Sequence, residues 1–188
     1  MKKLLVPLLL AVASASATAA PVTYTLDSSH SFETFQYRHM GLSFVRGRFD
    51  KTSGTITLDQ AAKTGSADIV IDVNSVNTGV PKLDEHLKGA EFFDTAKFPT
   101  ITFKSSSFKF NGDTLASVSG DLTIHGVTKP VTLTVSSFVC TEHPFKKVPA
   151  CAANAEVTIK RSEFGVGNYV PVISDETRLE VGVEAIKE

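Results

Sequence analysis

The sequence has 188 residues, of which 42% are hydrophobic and 21% are charged, and its formal net charge at pH 7 is −1. This length suits one globular domain with a sizeable core. Lysine and arginine residues are scattered without a basic run, which excludes the kind of charged surface that indicates a nucleic-acid partner.

The first 19 residues have the pattern of an export signal. Basic residues open it, an apolar run extends from Leu4 to Val12, and small residues lead to the triplet from Ala17 to Ala19. Signal peptidase accepts such a triplet, so we expect cleavage after Ala19 and one mature domain over residues 20–188. The apolar run is shorter than the roughly 20 residues that cross a bilayer, and no nearby cysteine offers a lipid anchor. We therefore expect a periplasmic or secreted protein without stable membrane insertion.

From Val22 onward, apolar and polar residues alternate with a period of two. The clearest sets are Ile56 and Leu58; Ile69, Ile71 and Val73; Ile101 and Phe103; Leu122 and Ile124; Val131, Leu133 and Val135; Val157 and Ile159; and Leu179, Val181 and Val183. This alternation predicts strands with one buried and one wet face. About eight such strands, with an Asn111-Gly112 hairpin turn expected to be of type I′, predict an all-β antiparallel fold. The alternation is equally typical of a two-sheet sandwich and of a closed barrel.

The stretch from Asp84 to Phe103 departs from this alternation as far as Pro99, after which the alternation resumes. Leu83 and Leu87 lie four residues apart, which predicts a short helix ending at Gly89. The apolar residues that follow the helix are Phe92, Phe93 and Phe98. These side chains either plug one end of the β core or form a wall or lid of an apolar cavity.

Two cysteines, Cys140 and Cys151, bracket a proline-containing segment between two strand-like runs. In an exported protein this arrangement predicts a disulfide that joins the two arms of a hairpin. CxxC spacing and clustered histidine partners are both missing, so a redox or metal pair is the less favoured interpretation.

No motif in the sequence indicates catalysis, a metal or a nucleotide. The five histidines lack HExxH or other tight ligand spacing, and no serine lies in a GxSxG context. Asp84 and Glu85 are adjacent, so on a helix they diverge and make a poor acid–base pair. The Gly165-Val-Gly167 segment lacks the third glycine and the helix of a phosphate cradle. We predict no catalytic residues, no metal and no cofactor.

Three ordered stretches carry a resemblance that extends across the mature chain. The first extends from Asp27 to Gly54, the second from Asp84 to Phe103, and the third from Gly120 to Val131. They are similar to the signatures of the YceI-like family of polyisoprenoid-binding, lipocalin-like proteins. The resemblance implies an extended eight-stranded antiparallel β-barrel with a short helical segment, located in the periplasm or beyond. It also implies a lumen that holds an isoprenoid lipid, such as a polyprenyl phosphate or an isoprenoid quinone.

For such a lumen, we predict a wall of inward-facing apolar side chains, of which about half touch ligand because small barrels fill their own ends. The predicted wall residues are Phe35, Phe49, Ile69, Ile71, Leu87, Phe92, Phe93, Ile101, Phe103, Leu122, Ile124, Leu133 and Val135. Arg38, Arg46 and Arg48 are candidates for meeting an anionic head group at the mouth. The alternative for these arginines is a role as solvated strand-edge charges.

We expect a non-enzymatic binding protein that transports, stores or sequesters its lipid. Each buried CH₂ contributes about 0.8 kcal/mol, so affinity can come from burial alone. The alternatives are a scavenger of other lipophiles, such as hydrophobic antibiotics, an enzyme acting on an isoprenoid lipid in the same barrel, and a barrel with a filled core.

Overall fold

The computed structural model describes residues 20–187, which form eleven strand segments and one α-helix. The strands are β1 (Val22–Leu26), β2 (Phe32–His39), β3 (Ser43–Phe49), β4 (Thr52–Asp59), β5 (Thr64–Asp72), β6 (Val76–Asn77), β7 (Thr100–Asn111), β8 (Thr114–Ile124), β9 (Val127–Glu142), β10 (Pro149–Lys160) and β11 (Ile173–Ile186). The helix, α1 (Pro81–Lys88), lies between β6 and β7, and 3₁₀ turns cover Val73–Ser75 and Arg161–Phe164. The predicted export signal, residues 1–19, lies outside the described residues.

Eight of the strand segments close a barrel. The order around the barrel is β1, β4, β5, β7, β8, β9, β10 and β11. Leu26 of β1 then pairs with Ala185 of β11, which completes the ring. All of these pairings are antiparallel. The structure confirms the antiparallel eight-stranded barrel and decides against the two-sheet sandwich.

The other three strand segments extend the barrel wall at one end. β2 and β1 pair with the same edge of β11, β2 along its first part and β1 near its C-terminal end. β3 then pairs with β2, and the short β6 pairs with β3. The chain leaves β6 at Asn77 and enters α1 at Pro81, so the helix lies at this end. We call it the helix end, and we call the opposite end, where β9 turns into β10, the disulfide end.

The hairpin between β7 and β8 lies where the sequence predicts it, but its turn differs from the predicted type. Asn111 pairs with Thr114, so the two central residues are Gly112 and Asp113. Gly112 has a φ of 63°, while neither neighbour has a positive φ, so the type I′ prediction on Asn111-Gly112 is wrong. A register shift after Lys109 moves the turn by one residue relative to the sequence pattern.

Side chains fill the barrel at the disulfide end. The buried residues there include Tyr24, Leu26, Leu58, Leu115, Val118 and Ala185. The rings of Phe110 and Phe138 meet edge to face with centroids 6.1 Å apart. The predicted disulfide is confirmed, because Cys140 of β9 is bonded to Cys151 opposite it on β10. The lumen is closed at this end.

The helix ends at Gly89, as the sequence predicts, and it begins at Pro81, three residues before the predicted stretch. Pro81 occupies its first turn, where a missing backbone N–H costs nothing, and Gly89 caps its C-terminus. The Asp84 carboxylate accepts hydrogen bonds from the backbone N–H and the hydroxyl of Thr78, at 2.7 Å and 2.6 Å. Leu87 is buried on the side that faces the barrel. Among residues 20–187, no helix combines the length and apolar composition needed to span a bilayer.

Candidate functional site

The half of the barrel nearest the helix end encloses a cavity of about 480 Å³. Cavities of this size are typical of small-molecule sites. On β11 the lining residues extend from Ile173 to Val183, a span of roughly 34 Å at about 3.4 Å per residue. The cavity is therefore elongated along the barrel.

Nearly all of the predicted wall residues surround this cavity. They are Phe35, Phe49, Ile69, Ile71, Leu87, Phe92, Phe93, Ile101, Phe103, Leu122, Ile124 and Leu133. The exception is Val135, which packs against the core and is not part of the cavity wall. Alternation predicts which face of the strand a side chain occupies, but it does not predict how far the cavity extends along the barrel. Val135 lies beyond the inner end of the cavity. Which of these residues touch a ligand stays a prediction.

Aromatic side chains connect the barrel wall to the helical segment. The ring of Phe35 lies over Gly47, where a β-carbon would collide with it. The ring centroid of Phe49 lies 5.8 Å from that of Phe35 and 5.7 Å from that of Phe93. Leu83, Leu87, Phe92 and Phe93 line the cavity directly. Of the two alternatives for the segment after β6, the structure therefore shows a cavity wall for Phe92 and Phe93. Phe98 instead packs against His125 and Gly126, outside the cavity lining.

The cavity reaches solvent at the helix end. Met40, Tyr169 and Val172 line the cavity, yet they are 56%, 54% and 59% exposed. Leu42, beside them in the β2–β3 loop, is 82% exposed. The Met40 N–H donates to the Val172 carbonyl at 3.1 Å and holds the two loops together. We call these four residues the mouth rim.

The three arginines predicted to meet a head group do not line the cavity. Arg38, Arg46 and Arg48 are exposed and alternate with inward-facing residues of β2 and β3. The guanidinium of Arg38 lies 4.5 Å from the ring centroid of Phe44, and that of Arg48 lies 5.0 Å from Phe32. Their side chains therefore lie on the outer wall, and a head-group contact by any of them stays a prediction.

A different arginine, Arg161, lies in the cavity wall near the mouth. Its guanidinium donates to the carbonyls of Ser174 (2.8 Å), Val166 (2.6 Å), Asn168 (2.9 Å) and Ile173 (3.1 Å). Burial lowers the pKa of Arg161, while nearby Asp175 and Tyr37 oppose that shift. Arg161 thus pins the loop that carries one side of the mouth rim. Alternation could not have found it, because it begins a 3₁₀ turn after β10.

Glu33 is the only carboxyl residue in the cavity wall among the described residues. It is 8% exposed, its Oε2 accepts a hydrogen bond from the Thr52 hydroxyl, and its Oε1 has no partner in the described part of the chain. Burial raises the pKa of Glu33 to about 7, although the Thr52 hydrogen bond acts in the opposite direction. Glu33 shares the inward face of β2 with Phe35 and Tyr37, so alternation along this strand could have identified it.

The remaining polar groups of the cavity lie toward the mouth. Tyr37 and Thr177 are paired across β2 and β11, and the buried Thr177 hydroxyl has no hydrogen-bond partner in the described region. Burial raises the pKa of the Tyr37 hydroxyl, which Arg161 opposes. No group of three or more potential metal-ligating side chains occurs within residues 20–187. The polar groups of the lumen can therefore hydrogen-bond a ligand at a few positions along an otherwise apolar wall.

Comparisons with known proteins identify the family. A family model described as the YceI-like domain matches residues 24–185. Protein YceI of Salmonella arizonae is 38% identical over 176 residues, which cover 92% of this chain and 90% of that protein.

Solved structures share the barrel. The crystal structure of Burkholderia cenocepacia BcnA matches with a TM-score of 0.72 at 27% identity, covering 85% of this chain and 99% of that one. The Campylobacter jejuni YCEI protein matches with a TM-score of 0.70 at 28% identity, covering 80% and 90%. A polyisoprenoid binding domain from Saccharophagus degradans shares the fold at a TM-score of 0.65 and 21% identity, covering 89% and 99%. The family match over nearly all of the barrel shows that this chain belongs to the YceI-like family.

Proposed function

We propose that this protein is an exported, non-enzymatic binding protein that holds one long apolar lipid of the polyisoprenoid class in its lumen. The observation that carries the proposal is the elongated cavity of about 480 Å³, lined by apolar side chains and open at one end. An extended chain fits this shape better than a compact ring system does. Each buried CH₂ contributes about 0.8 kcal/mol before ordering costs, so a chain gains affinity along its length without an ion pair or a covalent bond.

The comparisons support the class of ligand. The Saccharophagus degradans domain with the same barrel is described as polyisoprenoid binding. Membership of the YceI-like family supports a binding protein rather than an enzyme. The N-terminal export pattern supports a periplasmic location, where such a protein would transport, store or sequester a lipid outside the inner membrane.

The closed disulfide end and the open mouth rim support insertion from one side. Leu58, Leu115 and their neighbours block passage at the disulfide end, whereas Met40 and Val172 present apolar surface to solvent beside the opening. A ligand would therefore enter and leave at the helix end. Its chain would lie between β11 and the helical segment.

Extraction of the bound lipid tests this function. The full chain is expressed with its N-terminal segment and purified from the periplasmic fraction, and organic extracts are then analysed by mass spectrometry. We expect about one polyisoprenoid molecule per protein molecule. The measured mass of the protein should match a chain that begins at Ala20. Absence of extractable lipid, together with no uptake of an apolar dye, would overturn the proposal in favour of a filled barrel. Turnover of the extracted lipid, abolished by one substitution that leaves binding intact, would favour an enzyme.

A further inference from the structure

Binding of a purely apolar chain makes no use of Glu33, which lies well inside the lumen. On β2, Glu33 pairs with Val181 of β11 and Phe49 of β3, whereas His39 pairs with Ile173 at the mouth. Glu33 and Tyr37 are four positions apart on β2, a distance of roughly 13 Å along the strand. Glu33 therefore faces the inner part of the cavity, away from the polar groups near the mouth.

Within residues 20–187, the cavity residues next to Glu33 are uncharged. Its neighbours across the strands are Phe49 and Val181, and β4 contributes the hydroxyl of Thr52. Burial is the main cause of its raised pKa, and no charged group contributes to the shift. The other titratable side chains of the cavity belong to β2, α1 and the segments around the mouth: Tyr37, His39, His86, Arg161 and Tyr169.

The two oxygens of Glu33 differ in what they bind. Oε2 accepts from Thr52, whereas Oε1 is buried and has no hydrogen-bond partner in the described part of the chain. A buried polar atom without a partner is unfavourable, because the hydrogen bonds it made to water are not replaced. Apolar surroundings favour the neutral acid, whose hydroxyl donates a hydrogen bond. A ligand oxygen that accepts a hydrogen bond would satisfy this position.

We propose that Glu33 forms a subsite at the inner part of the lumen that donates a hydrogen bond to an uncharged oxygen, such as a carbonyl, on the inserted end of the apolar ligand. This inference rests on the proposed lipid-binding function and makes it more specific. An anionic end, such as a phosphate, is disfavoured at this position, because it would lie beside a carboxyl group in an apolar surrounding. Anionic ends would stay at the mouth.

A pair of matched probes tests the subsite. The purified mature protein and its variants are titrated with 2-tridecanone and with tridecane at about pH 5.5. Binding is measured by the displacement of an apolar dye. The ratio of the two affinities isolates the carbonyl from the chain. We expect Glu33→Leu to lower the preference for the ketone about fivefold, the value of one neutral hydrogen bond. Glu33→Gln should retain the preference, because its amide N–H can donate to the same carbonyl.

Two controls make the result specific. Glu180→Leu removes an exposed glutamate from the outer face of β11 and should leave the ratio unchanged. Raising the pH to about 8.5 should abolish the ketone preference of the unsubstituted protein, because a carboxylate has no proton to donate, while Glu33→Gln keeps its preference. The pH comparison decides the matter even if Glu33→Leu does not fold.

The possible outcomes separate the subsite from the proposed function. If both probes bind and the ratio is the same in the unsubstituted protein and in Glu33→Leu, or does not change with pH, the subsite is overturned while lipid binding stands. If neither probe displaces the dye from any variant, the binding function itself is overturned, and the subsite with it.

Discussion

The Thr52 hydroxyl donates a hydrogen bond to the Glu33 carboxyl group across the interior of the barrel wall. Glu33 lies on β2 and Thr52 begins β4, two strands that are not neighbours in the ladder. The bond lies where the wall changes from β2–β3 pairing to β1–β4 pairing, and Thr52 is 2% exposed. This contact joins β2 to β4 and lowers the pKa of Glu33, which burial raises. Glu33 is the only carboxyl residue of the cavity lining among the described residues.

The free energy of unfolding should depend on pH through Glu33. Its pKa is about 7 in the folded protein and 4.5 for an ordinary glutamate, so the folded state binds the proton more tightly. The stabilisation is fully present below about pH 4.5 and is lost as the pH rises through about 7. At 1.36 kcal/mol per pKa unit, the loss is about 3 kcal/mol. Urea unfolding of the unsubstituted protein and of Glu33→Gln over this pH range measures it, and parallel stability curves would contradict the prediction.

Substitution of Thr52 by valine should raise the pKa of Glu33 further. The Thr52 hydrogen bond stabilises the charged form, so its loss favours the neutral acid. A titration of the Glu33 side-chain carbon by NMR measures the change directly. Thr55→Val, on the exposed face of the same strand, is the matched control and should leave that titration unchanged. An unchanged or lower pKa in Thr52→Val would show that the hydroxyl does not interact with the carboxylate.

The loop around the mouth should loosen when Arg161 is replaced by lysine. An ammonium group has only three donors and no planar fork, so it cannot reach the four carbonyls that the guanidinium binds. We expect a loss of about 3 kcal/mol in the free energy of unfolding. Amide hydrogen exchange should become faster in residues 165–173 than in the rest of the protein. Global destabilisation alone would instead speed exchange throughout the barrel. Arg178→Lys, an exposed residue paired with Glu156, is the control and should change neither measurement.

The alternation of the sequence predicts the barrel strands because each strand has one face in the core and one in water. It correctly assigns the inward faces that carry Ile69, Phe103 and Leu133. It does not predict depth, because Val135 obeys the same pattern beyond the cavity floor. It also cannot choose between a sandwich and a barrel, since closure depends on the pairing of β1 with β11, which no local pattern encodes.

The polar groups of the lumen were harder to predict, and for different physical reasons. Glu33 occupies an inward position of β2, but a glutamate in a short alternating run is usually assigned to the wet face. Arg161 is buried because its guanidinium donates to carbonyls of the segment that follows it, between β10 and β11, and a period-two pattern does not describe a segment outside the strands. The arginines on the outer face of β2 and β3 were predicted as head-group contacts because the sequence shows which residues are charged. It does not show which of the charged residues are buried in the lumen.

Reduction of the disulfide should lower stability without changing ligand affinity. The bond joins Cys140 to Cys151 across a separation of 11 residues, and closing a loop of this size contributes about 3 kcal/mol in the chain-entropy model. Cys151 is level with Ala185, beyond Val183, where the cavity lining of β11 ends. Urea unfolding and dye binding with and without reductant measure both effects. A variant with both cysteines replaced by alanine should not respond to reductant, and a loss of dye binding on reduction would contradict the separation of the two ends.

Replacement of Phe103 by aspartate should abolish lipid uptake and lower stability. Phe103 is 8% exposed, lines the cavity, and lies between Ile69 and Leu122 on the neighbouring strands. The variant loses a buried ring and places an unpaired carboxyl group against an apolar ligand, so we expect at least about 3 kcal/mol of destabilisation. The same change at Phe145, which is 89% exposed, should cost less than about 0.5 kcal/mol and leave binding intact. Dye uptake and urea unfolding of both variants decide the matter: normal binding by Phe103→Asp would mean that this face of β7 does not contact the ligand.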